Sequence, residues 1–205
     1  SDSDRRRLLQ MFEEDVCVRA LADQKLYKAR NGWGQELRPR VVNMSKLNFG
    51  QGEYTYLKEP LPAPLTELRQ ALYSALAPVA NLDLQRHRRE VTPKPFAVDD
   101  FPAQLEDFWN LCRAADPPQC IPTCLVLQYN EGGHNLPHRD IYGCISFPYQ
   151  ALTILTAPGK DFDGGQFYMQ PRRKADRQRR HIPLAAGDIL VFQASRWHGC
   201  EPVAW

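Results

Sequence analysis

The chain has 205 residues, of which 43% are hydrophobic and 24% charged, and its formal net charge is +2. This length and composition are typical of one globular domain and exclude a strongly polybasic or polyacidic protein. No apolar run approaches the roughly 20 residues that cross a bilayer, and the polar start SDSDRRRLLQMFEED is unlike a secretory signal, so we expect no membrane partner. The six cysteines form no CxxC pair, which favours reduced thiols in a cytoplasmic or nuclear protein.

The first part of the chain predicts a helix followed by short strands. Apolar residues recur at near-helical spacing over residues 4–29, and the glycines of NGWGQ at 31–35 break that pattern. RVVNMSKLNF at 40–49 and the alternating EYTYL at 53–57 each have the pattern of a strand.

Two further helices are predicted before the character of the chain changes. LTELRQALYSALAPVANL at 65–82 is amphipathic, begins just after Pro64 and is expected to end at Pro78 or soon after. The polar stretch 86–100 is expected to be a surface loop. FPAQLEDFWNLCRAA at 101–115 is a second helix, which the following DPP ends.

The second part of the chain predicts an all-β structure. After Cys120, five short β-type runs are separated by turns rich in Gly, Asp and Pro; they are LVLQY, YQALTILTA, GQFYMQ, RHIPL and DILVFQ. Such spacing suits a barrel or jelly roll. We therefore predict an α+β protein in which a helical and mixed support region, 1–117, and a β-rich core, 118–205, form one integrated domain.

Two ligand-type residues lie close together after the LVLQY run, and the Asn, Leu and Pro between His134 and His138 predict a loop there. In NEGGHNLPHRD, His138 and Asp140 stand two residues apart, so in extended backbone they point to the same side and can reach one ion. A third ligand could come from His134, His181 or His198. Two histidines and one carboxylate with open coordination positions are typical of non-haem Fe(II) oxygenases, although such a set could also hold zinc with a reactive water.

The β-rich part resembles the 2-oxoglutarate- and Fe(II)-dependent dioxygenases over roughly residues 118–203. The matching motifs, in order, are LQYNEGGHNLPHRD, ALTILTAPGKDFDGGQFYM and LAAGDILVFQASRWHGCEPV. A closer resemblance, to an AlkB-related group described as acting on damaged DNA, rests on HRDIYG, FPYQ, PGKDF, GGQF and the earlier YLKEPLPAPLTELRQALYSALAPVAN. The ending after GD departs from that group and is similar to the ending of prolyl hydroxylases.

This resemblance implies a fold, cofactors and site residues. The fold is a double-stranded β-helix (jelly-roll) core with N-terminal helices packed on it. The cofactors are Fe(II), 2-oxoglutarate and O₂, with ascorbate in a supporting role. The implied metal ligands are His138, Asp140 and His198, and Tyr129 and Asn130 are expected to contact 2-oxoglutarate. The family's basic residue for the far carboxylate of 2-oxoglutarate falls past Trp205, so none is assigned.

A basic segment suggests the substrate. Six of the ten residues of PRRKADRQRR, 171–180, are basic, and cations clustered in this way are the usual source of affinity for phosphates. A second basic stretch, RHRR, lies at 86–89. Nucleic acid is therefore the expected partner, with a protein substrate as the alternative.

Several side chains are predicted to contact that substrate. The expected nucleic-acid contacts are Arg172, Arg173, Arg179 and Arg180. Tyr142 is expected to line the substrate mouth and His134 the pocket, whereas His181 is either solvated or in contact with substrate. Four aromatic residues are available to stack an unpaired base, namely Phe147, Tyr149, Phe167 and Tyr168.

The first hypothesis is therefore an oxygenase that hydroxylates a C–H bond, with oxidative demethylation or other modification of a nucleic-acid base as the expected reaction. Three alternatives stay open. They are a hydroxylase of protein side chains of the prolyl type, a zinc hydrolase, and a non-catalytic cupin-like binding domain in which the histidines are structural.

Overall fold

The computed structural model describes residues 29–30, 36–37, 41–57, 59–90, 98–120, 124–174 and 176–205. These residues form a mixed α/β structure that is mostly sheet, with two α-helices. The helix predicted over 4–29 lies outside the described residues except for Ala29, which is in a strand. The predicted break at 31–35 also lies outside them.

The first α-helix, α1 (Ala63–Glu90), is longer than the sequence pattern predicts. Pro78 lies inside it, so the prediction that the helix ends near Pro78 is wrong, and residues 86–90 are helical rather than part of a loop. A proline in a helix removes one hydrogen bond. Burial on both sides of it offsets that loss, because Tyr73, Ala77 and Leu84 are all buried against the rest of the protein.

The second helix, α2 (Leu105–Ala114), packs with α1 around an aromatic cluster. Phe108 and Phe147 lie against Tyr73, with ring centroids 5.5 and 5.2 Å away. The side-chain amide of Asn81 on α1 accepts from the Phe101 backbone N–H at 2.7 Å and donates to the Phe101 carbonyl at 2.9 Å. These contacts fix both helices to the segment that leads into the β-rich part. Neither helix of the described residues combines the length and the apolarity that a membrane crossing requires.

The strands of the described residues are short. Their bounds are β1 (Ala29–Arg30), β2 (Glu36–Leu37), β3 (Val41–Asn43), β4 (Gly50–Gln51), β5 (Glu53–Tyr56), β6 (Leu125–Gln128), β7 (His134–His138), β8 (Tyr149–Thr153), β9 (Asp163–Gly164), β10 (Phe167–Gln170), β11 (Arg180–His181), β12 (Ile189–Gln193), β13 (Trp197–Cys200) and β14 (Val203–Ala204). The predicted strand at 53–57 is confirmed. The strand predicted at 40–49 is confirmed only for Val41–Asn43, because Met44–Leu47 form a 3₁₀ turn.

Two sheets determine where the candidate site lies. One has five antiparallel strands in the order β11-β10-β13-β7-β4, and the other pairs β8 with β12. A three-stranded sheet, β3-β5-β6, flanks them. Strands β4 and β5 come from the segment before residue 118 and pair with β7 and β6, so the two segments distinguished in the sequence share sheets.

Strand β7 corrects one local prediction. The loop expected around His134 is a strand, in which His134 pairs with Gln51. Proline lacks the N–H that a ladder needs, and Pro137 accordingly lies where the register between β7 and β13 shifts. Beyond this irregularity the pairing resumes at His138.

Candidate metal centre

Three potential metal ligands meet where β7 and β13 are paired. His138 ends β7, and its Cα pairs with that of His198 on β13. Asp140 follows two residues later, and its backbone N–H donates to the Ala194 carbonyl at 3.1 Å. The His198 Nε2 atom lies 3.2 Å from Asp140 Oδ2, and His138 Nε2 lies 3.7 Å from Asp140 Oδ1. The candidate ligand atoms of all three lie within 4.8 Å of one another.

Backbone hydrogen bonds set the tautomer of both histidines. His138 Nδ1 lies 2.8 Å from the Leu136 carbonyl, and His198 Nδ1 lies 2.9 Å from the Arg196 carbonyl. A carbonyl oxygen can only accept, so each Nδ1 carries the proton and donates. The lone pair of each Nε2 therefore points toward the shared space, as metal-binding imidazoles require.

The protonation of the cluster also suits a cation. Burial, together with the neighbouring His198, lowers the pKa of His138 below its ordinary value. Burial alone would raise the pKa of Asp140, but the polar side chains of His198, His138 and Gln150 around it hold that pKa below its ordinary value. A neutral imidazole and an ionised carboxylate are the forms that bind a metal ion. The donor set thus fits a divalent cation.

The centre has a closed side and an open side. His198 is buried at 5% exposure, and the rings of Phe192 and Phe167 pack against it with centroids 4.8 and 5.7 Å away. The side chains of His138 and Asp140 keep 28% and 29% exposure. An ion bound here would have protein on one side and room for further ligands on the other.

The sequence reading missed Gln150 as a member of this site. Its Nε2 lies 3.4 Å from His198 Nε2, and its side chain is one of the groups that lower the pKa of Asp140. Gln150 belongs to β8 and pairs with Phe192 of β12, so this sheet brings a polar amide and an aromatic ring to the same centre. The available signal was one polar residue inside the apolar run YQALT.

The reverse face of the β7–β13 pair is tightly packed. A Cβ at Gly199 would lie 2.4 Å from the Tyr168 hydroxyl and 2.6 Å from the Asn135 carbonyl, so glycine is needed directly after His198. Arg139, between His138 and Asp140, places its guanidinium 4.8 Å from the centre of the Trp197 ring. Trp197 thus packs against a cation beside the ligands.

The structure distributes the other predicted pocket residues differently. Tyr142 is 65% exposed. Its partial burial, together with the charge of Asp140, raises the pKa of Tyr142 to about 12. His134, at the far end of β7, lies near the Gly132 carbonyl at 2.9 Å and is not one of the three clustered ligands.

The two residues expected to contact 2-oxoglutarate face different surroundings. Burial raises the pKa of Tyr129, which hydrogen-bonds with the Asn135 side chain and lies near Cys200. A Cβ at Gly52 would come within 2.7 Å of the Tyr129 ring, so the ring is held by close backbone packing. Asn130 is exposed and lines a polar concavity with Glu53 and Gln128.

The basic segment, 171–180, leaves β10 beside the centre, since Met169 pairs with His198. The buried Gln170 amide donates to the carbonyls of Arg172 and Arg173 at 2.8 and 2.7 Å. Arg179 Nε in turn donates to Gln170 Oε1 at 3.2 Å. The start and the end of the segment are therefore fastened to one buried side chain.

Arg179 differs from the other cations of the segment. Its Nη1 atom lies 3.0 Å from both carboxylate oxygens of Glu201, and its guanidinium stacks 4.3 Å from the centre of the Tyr168 ring. His181 Nε2 shares the same carboxylate at 3.0 Å. The exposed cations of the segment are Arg172, Arg173, Lys174, Arg177 and Arg180. The backbone of 86–89 is in α1, whereas its side chains lie outside the described residues.

The four aromatic residues expected to be available for base stacking are packed within the protein. Phe147 belongs to the cluster around Tyr73, and Tyr168 is 1% exposed. The Tyr149 hydroxyl donates to Asp83 on α1. Phe167 packs against Phe192 with centroids 5.3 Å apart.

Two histidines and one carboxylate that meet in this way form a candidate site for a single metal ion. A family model described as "Oxygenase, catalysing oxidative methylation of damaged DNA" matches residues 52–198. The chain belongs to this oxygenase family. The matched range begins at Gly52 and includes both helices, all three clustered ligands and the basic segment.

Curated relatives and a solved structure add context. An uncharacterized protein of Mycobacterium tuberculosis strain CDC 1551 / Oshkosh is 34% identical over 134 residues, covering 65% of this chain and 53% of its own length. The corresponding protein of strain ATCC 25618 / H37Rv gives the same values. The chain thus spans about half the length of these relatives. A Pseudomonas putida prolyl-4-hydroxylase matches at 13% identity and TM-score 0.42, over 81% of this chain and 72% of that one.

Proposed function

We propose that the protein is an Fe(II)- and 2-oxoglutarate-dependent oxygenase that hydroxylates a C–H bond of a nucleic-acid base, with demethylation as the outcome on a methylated base. The observation that carries this proposal is the convergence of His138, Asp140 and His198 with both Nε2 atoms directed at one space. Two histidines and a carboxylate with open positions are the ligand set of non-haem Fe(II) oxygenases.

The three ligands would hold iron, which supplies the oxidising chemistry with O₂ and 2-oxoglutarate when bound. Gln150 places its amide beside His198, with 3.4 Å between the two Nε2 atoms. Phe192 and Phe167 exclude water from the His198 side. Tyr129 and Asn130 remain the residues proposed to bind 2-oxoglutarate. A carboxylate of 2-oxoglutarate can only accept hydrogen bonds, so the Tyr129 hydroxyl would be the donor to it.

The fold we propose for this centre is a double-stranded β-helix. The five-stranded sheet supplies His138 and His198, and the β8–β12 pair supplies Gln150 and Phe192 to the same centre. The Asp140 backbone N–H joins the two through the Ala194 carbonyl. A site enclosed between two sheets is the arrangement that such a jelly roll provides.

The proposed substrate is nucleic acid, for two reasons. The family description names damaged DNA, and the basic segment presents five exposed cations where β10 ends, beside the strand pair that carries His198. Cations at this place would neutralise phosphates and position a strand at the centre. Arg179 would act differently, by holding the segment in place through Gln170 and Glu201.

The experiment that tests this proposal is reconstitution with Fe(II), followed by 2-oxoglutarate and O₂ with a panel of methylated oligonucleotides and proline-containing peptides. We expect succinate release coupled to loss of a methyl group from an oligonucleotide, detected by mass. Coupled turnover of a peptide instead would make the protein a side-chain hydroxylase. Zinc-dependent hydrolysis without 2-oxoglutarate would contradict the oxygenase assignment.

A ligand variant separates an enzyme from a binding domain. His138→Ala is expected to abolish iron retention and succinate release together. A wild-type protein that retains no iron, or a His138→Ala variant with full turnover, would contradict the proposed ligand set. His134→Ala is the matched control, because His134 lies on the same strand but outside the cluster.

A further inference from the structure

The reverse face of the five-stranded sheet, opposite the metal centre, joins the basic segment to Trp197. Met169 of β10 pairs with His198, so the next residue, Gln170, points to the other face. Trp197 of β13 pairs with Gln170 and shares that face. Because the buried Gln170 amide holds the start of the basic segment, Trp197 lies beside the point where the segment leaves the sheet.

Arg139 continues this face by one more strand. It directly follows His138, the last residue of β7, and its guanidinium lies 4.8 Å from the centre of the Trp197 ring. Strands β10, β13 and β7 are neighbours, and two strand spacings amount to roughly 10 Å. The register places the end of β10, where the segment begins, and the end of β7, where Arg139 lies, at the same end of the sheet.

Two arginines stack on aromatic rings of this face, but they differ in their charge balance. Arg179 lies over Tyr168, and its Nη1 atom is 3.0 Å from the Glu201 carboxylate. Arg139 is exposed over Trp197, and no carboxylate of the described residues forms an ion pair with it. The charge of Arg139 is therefore available to an external anion.

We propose that Arg139, held over Trp197, binds a backbone phosphate of the same single-stranded nucleic acid that contacts the basic segment. This inference rests on the proposed function and adds to it a phosphate contact at the end of β7. Because Arg139 stands between His138 and Asp140 in the chain, the phosphate that it binds would lie at the same end of the sheet as the metal centre. The basic segment and Arg139 together would set which nucleotide reaches that centre.

The chemistry of a stacked arginine suits a phosphate. A guanidinium is planar, and its N–H groups form a fork that donates two parallel hydrogen bonds to phosphate oxygens. Contact with the Trp197 ring restricts the Arg139 side chain before a phosphate arrives, which lowers the entropy lost on binding. A phosphate contact is independent of base identity, so Arg139 would fix the position of the nucleic acid rather than select its sequence.

The test measures binding of single-stranded oligothymidylate to the full chain by anisotropy over a range of salt concentrations. Arg139→Gln removes the charge, Arg139→Lys retains it, and Lys160→Gln is the control at an exposed cation in another turn. Arg172→Gln with Arg173→Gln reports the contacts of the basic segment. Analytical ultracentrifugation gives the number of oligonucleotides bound per chain, and circular dichroism confirms that each variant is folded.

We expect Arg139→Gln to weaken binding by about threefold at low salt and to reduce the slope of log affinity against log salt by about 0.7, the value for one phosphate contact. Arg139→Lys and Lys160→Gln should keep the wild-type slope. The wild type should bind one oligonucleotide per chain. Arg139→Gln combined with the double variant of the segment should reduce the slope by about 2.1, because one nucleic-acid strand makes all three contacts.

Three outcomes would contradict this inference. A wild-type slope in Arg139→Gln, with a reduced slope in the segment variant, would overturn it and leave the proposed function intact. Two oligonucleotides per chain would also overturn it, because Arg139 would then belong to a separate surface. No binding of oligothymidylate by the wild type, together with turnover of a peptide, would overturn both the inference and the proposed function.

Discussion

The metal centre and the basic segment use charged groups in opposite ways. At the centre, one carboxylate and two imidazoles are held within 4.8 Å by the backbone, and their Nδ1 atoms are committed to carbonyls. The basic segment has six basic residues. Arg179 binds other side chains of the protein, and the other five are exposed. The first arrangement favours a single small ion at fixed geometry, and the second favours a flexible polyanion.

The difference also appears in what fixes each region. His138 and His198 belong to paired strands, so their geometry follows from the β7–β13 register, and the hydrogen bond from the Asp140 backbone N–H to the Ala194 carbonyl positions Asp140. The segment has a short 3₁₀ turn, Asp176–Gln178, and depends on the Gln170, Arg179 and Glu201 side chains for its anchorage. A substitution at the centre should therefore change metal binding with little effect on polyanion binding, and the reverse should hold for the segment.

The largest expected effect comes from removing the carboxylate. Asp140→Ala should weaken Fe(II) or Co(II) binding by at least about 100-fold. Mutating a residue that only hydrogen-bonds to a metal ligand already reduces metal affinity by about 10- to 100-fold, and loss of a ligand itself should cost more. Metal titration by isothermal calorimetry measures this directly. Asp163→Ala, at an exposed aspartate of β9, serves as the control. Equal affinities in the two variants would show that Asp140 is not a ligand.

A smaller effect should follow from neutralising two exposed cations of the segment. Arg172→Gln with Arg173→Gln should weaken binding of a single-stranded oligonucleotide by about tenfold at low salt. It should also reduce the slope of log affinity against log salt by about 1.4, at about 0.7 for each phosphate contact. Lys160→Gln, an exposed cation in another turn, should leave the slope unchanged. An unchanged slope in the double variant would exclude these arginines as phosphate contacts.

Adjacent arginines of the segment allow a sharper comparison. Arg179→Ala removes hydrogen bonds to Gln170 and Glu201 and the stacking on Tyr168, and should reduce the free energy of unfolding by about 1 kcal/mol. Arg180→Ala removes an exposed guanidinium and should reduce oligonucleotide affinity without that loss of stability. Urea unfolding with both variants measures the difference. Equal stabilities would contradict the anchoring role of Arg179.

The same anchor should respond to acid. Burial tends to raise the pKa of Glu201, but hydrogen bonds from His181 and Arg179 hold it below its ordinary value of 4.5. A carboxylate with a depressed pKa in the folded state contributes stability above its unfolded pKa, and this contribution is lost as pH falls through the folded value. Above pH 4.5, Glu201→Gln should therefore have a lower free energy of unfolding than the wild type. As pH falls below about 4.5, this difference should become smaller, because the wild type loses the contribution of its carboxylate. Urea unfolding of both proteins at several pH values measures the difference, and a difference that does not change with pH would contradict the prediction.

The sequence indicated the three clustered residues better than their surroundings. His138 and Asp140 are neighbours in the chain, and their spacing implied a shared side whatever the fold. His198 was one of three candidates by spacing, and family resemblance selected it. Gln150 could not be found in this way, because its role depends on the β8–β12 pair facing the five-stranded sheet, which no local pattern encodes.

The same distinction explains the errors in the helices and loops. Local rules end a helix at Pro78, but the burial of Tyr73 on one side and Leu84 on the other continues α1 through it. The turn-like residues around Pro137 suggested a loop, but pairing with β13 on either side of the shifted register makes a strand. In both places tertiary contacts outweigh local propensity.

The smallest expected effect concerns the reverse face of the ligand strands. Arg139 lies between His138 and Asp140, and its guanidinium stacks on Trp197, the neighbour of His198. Arg139→Gln removes this exposed cation–π contact and should cost about 0.5 kcal/mol in stability. If the stacking also aligns the two ligand strands, metal affinity should fall by a small factor, and Arg139→Lys should restore part of it because an ammonium can still lie over the ring. Metal affinity unchanged in Arg139→Gln, with the stability loss present, would show that the hydrogen bonds from the two Nδ1 atoms suffice to orient the imidazoles.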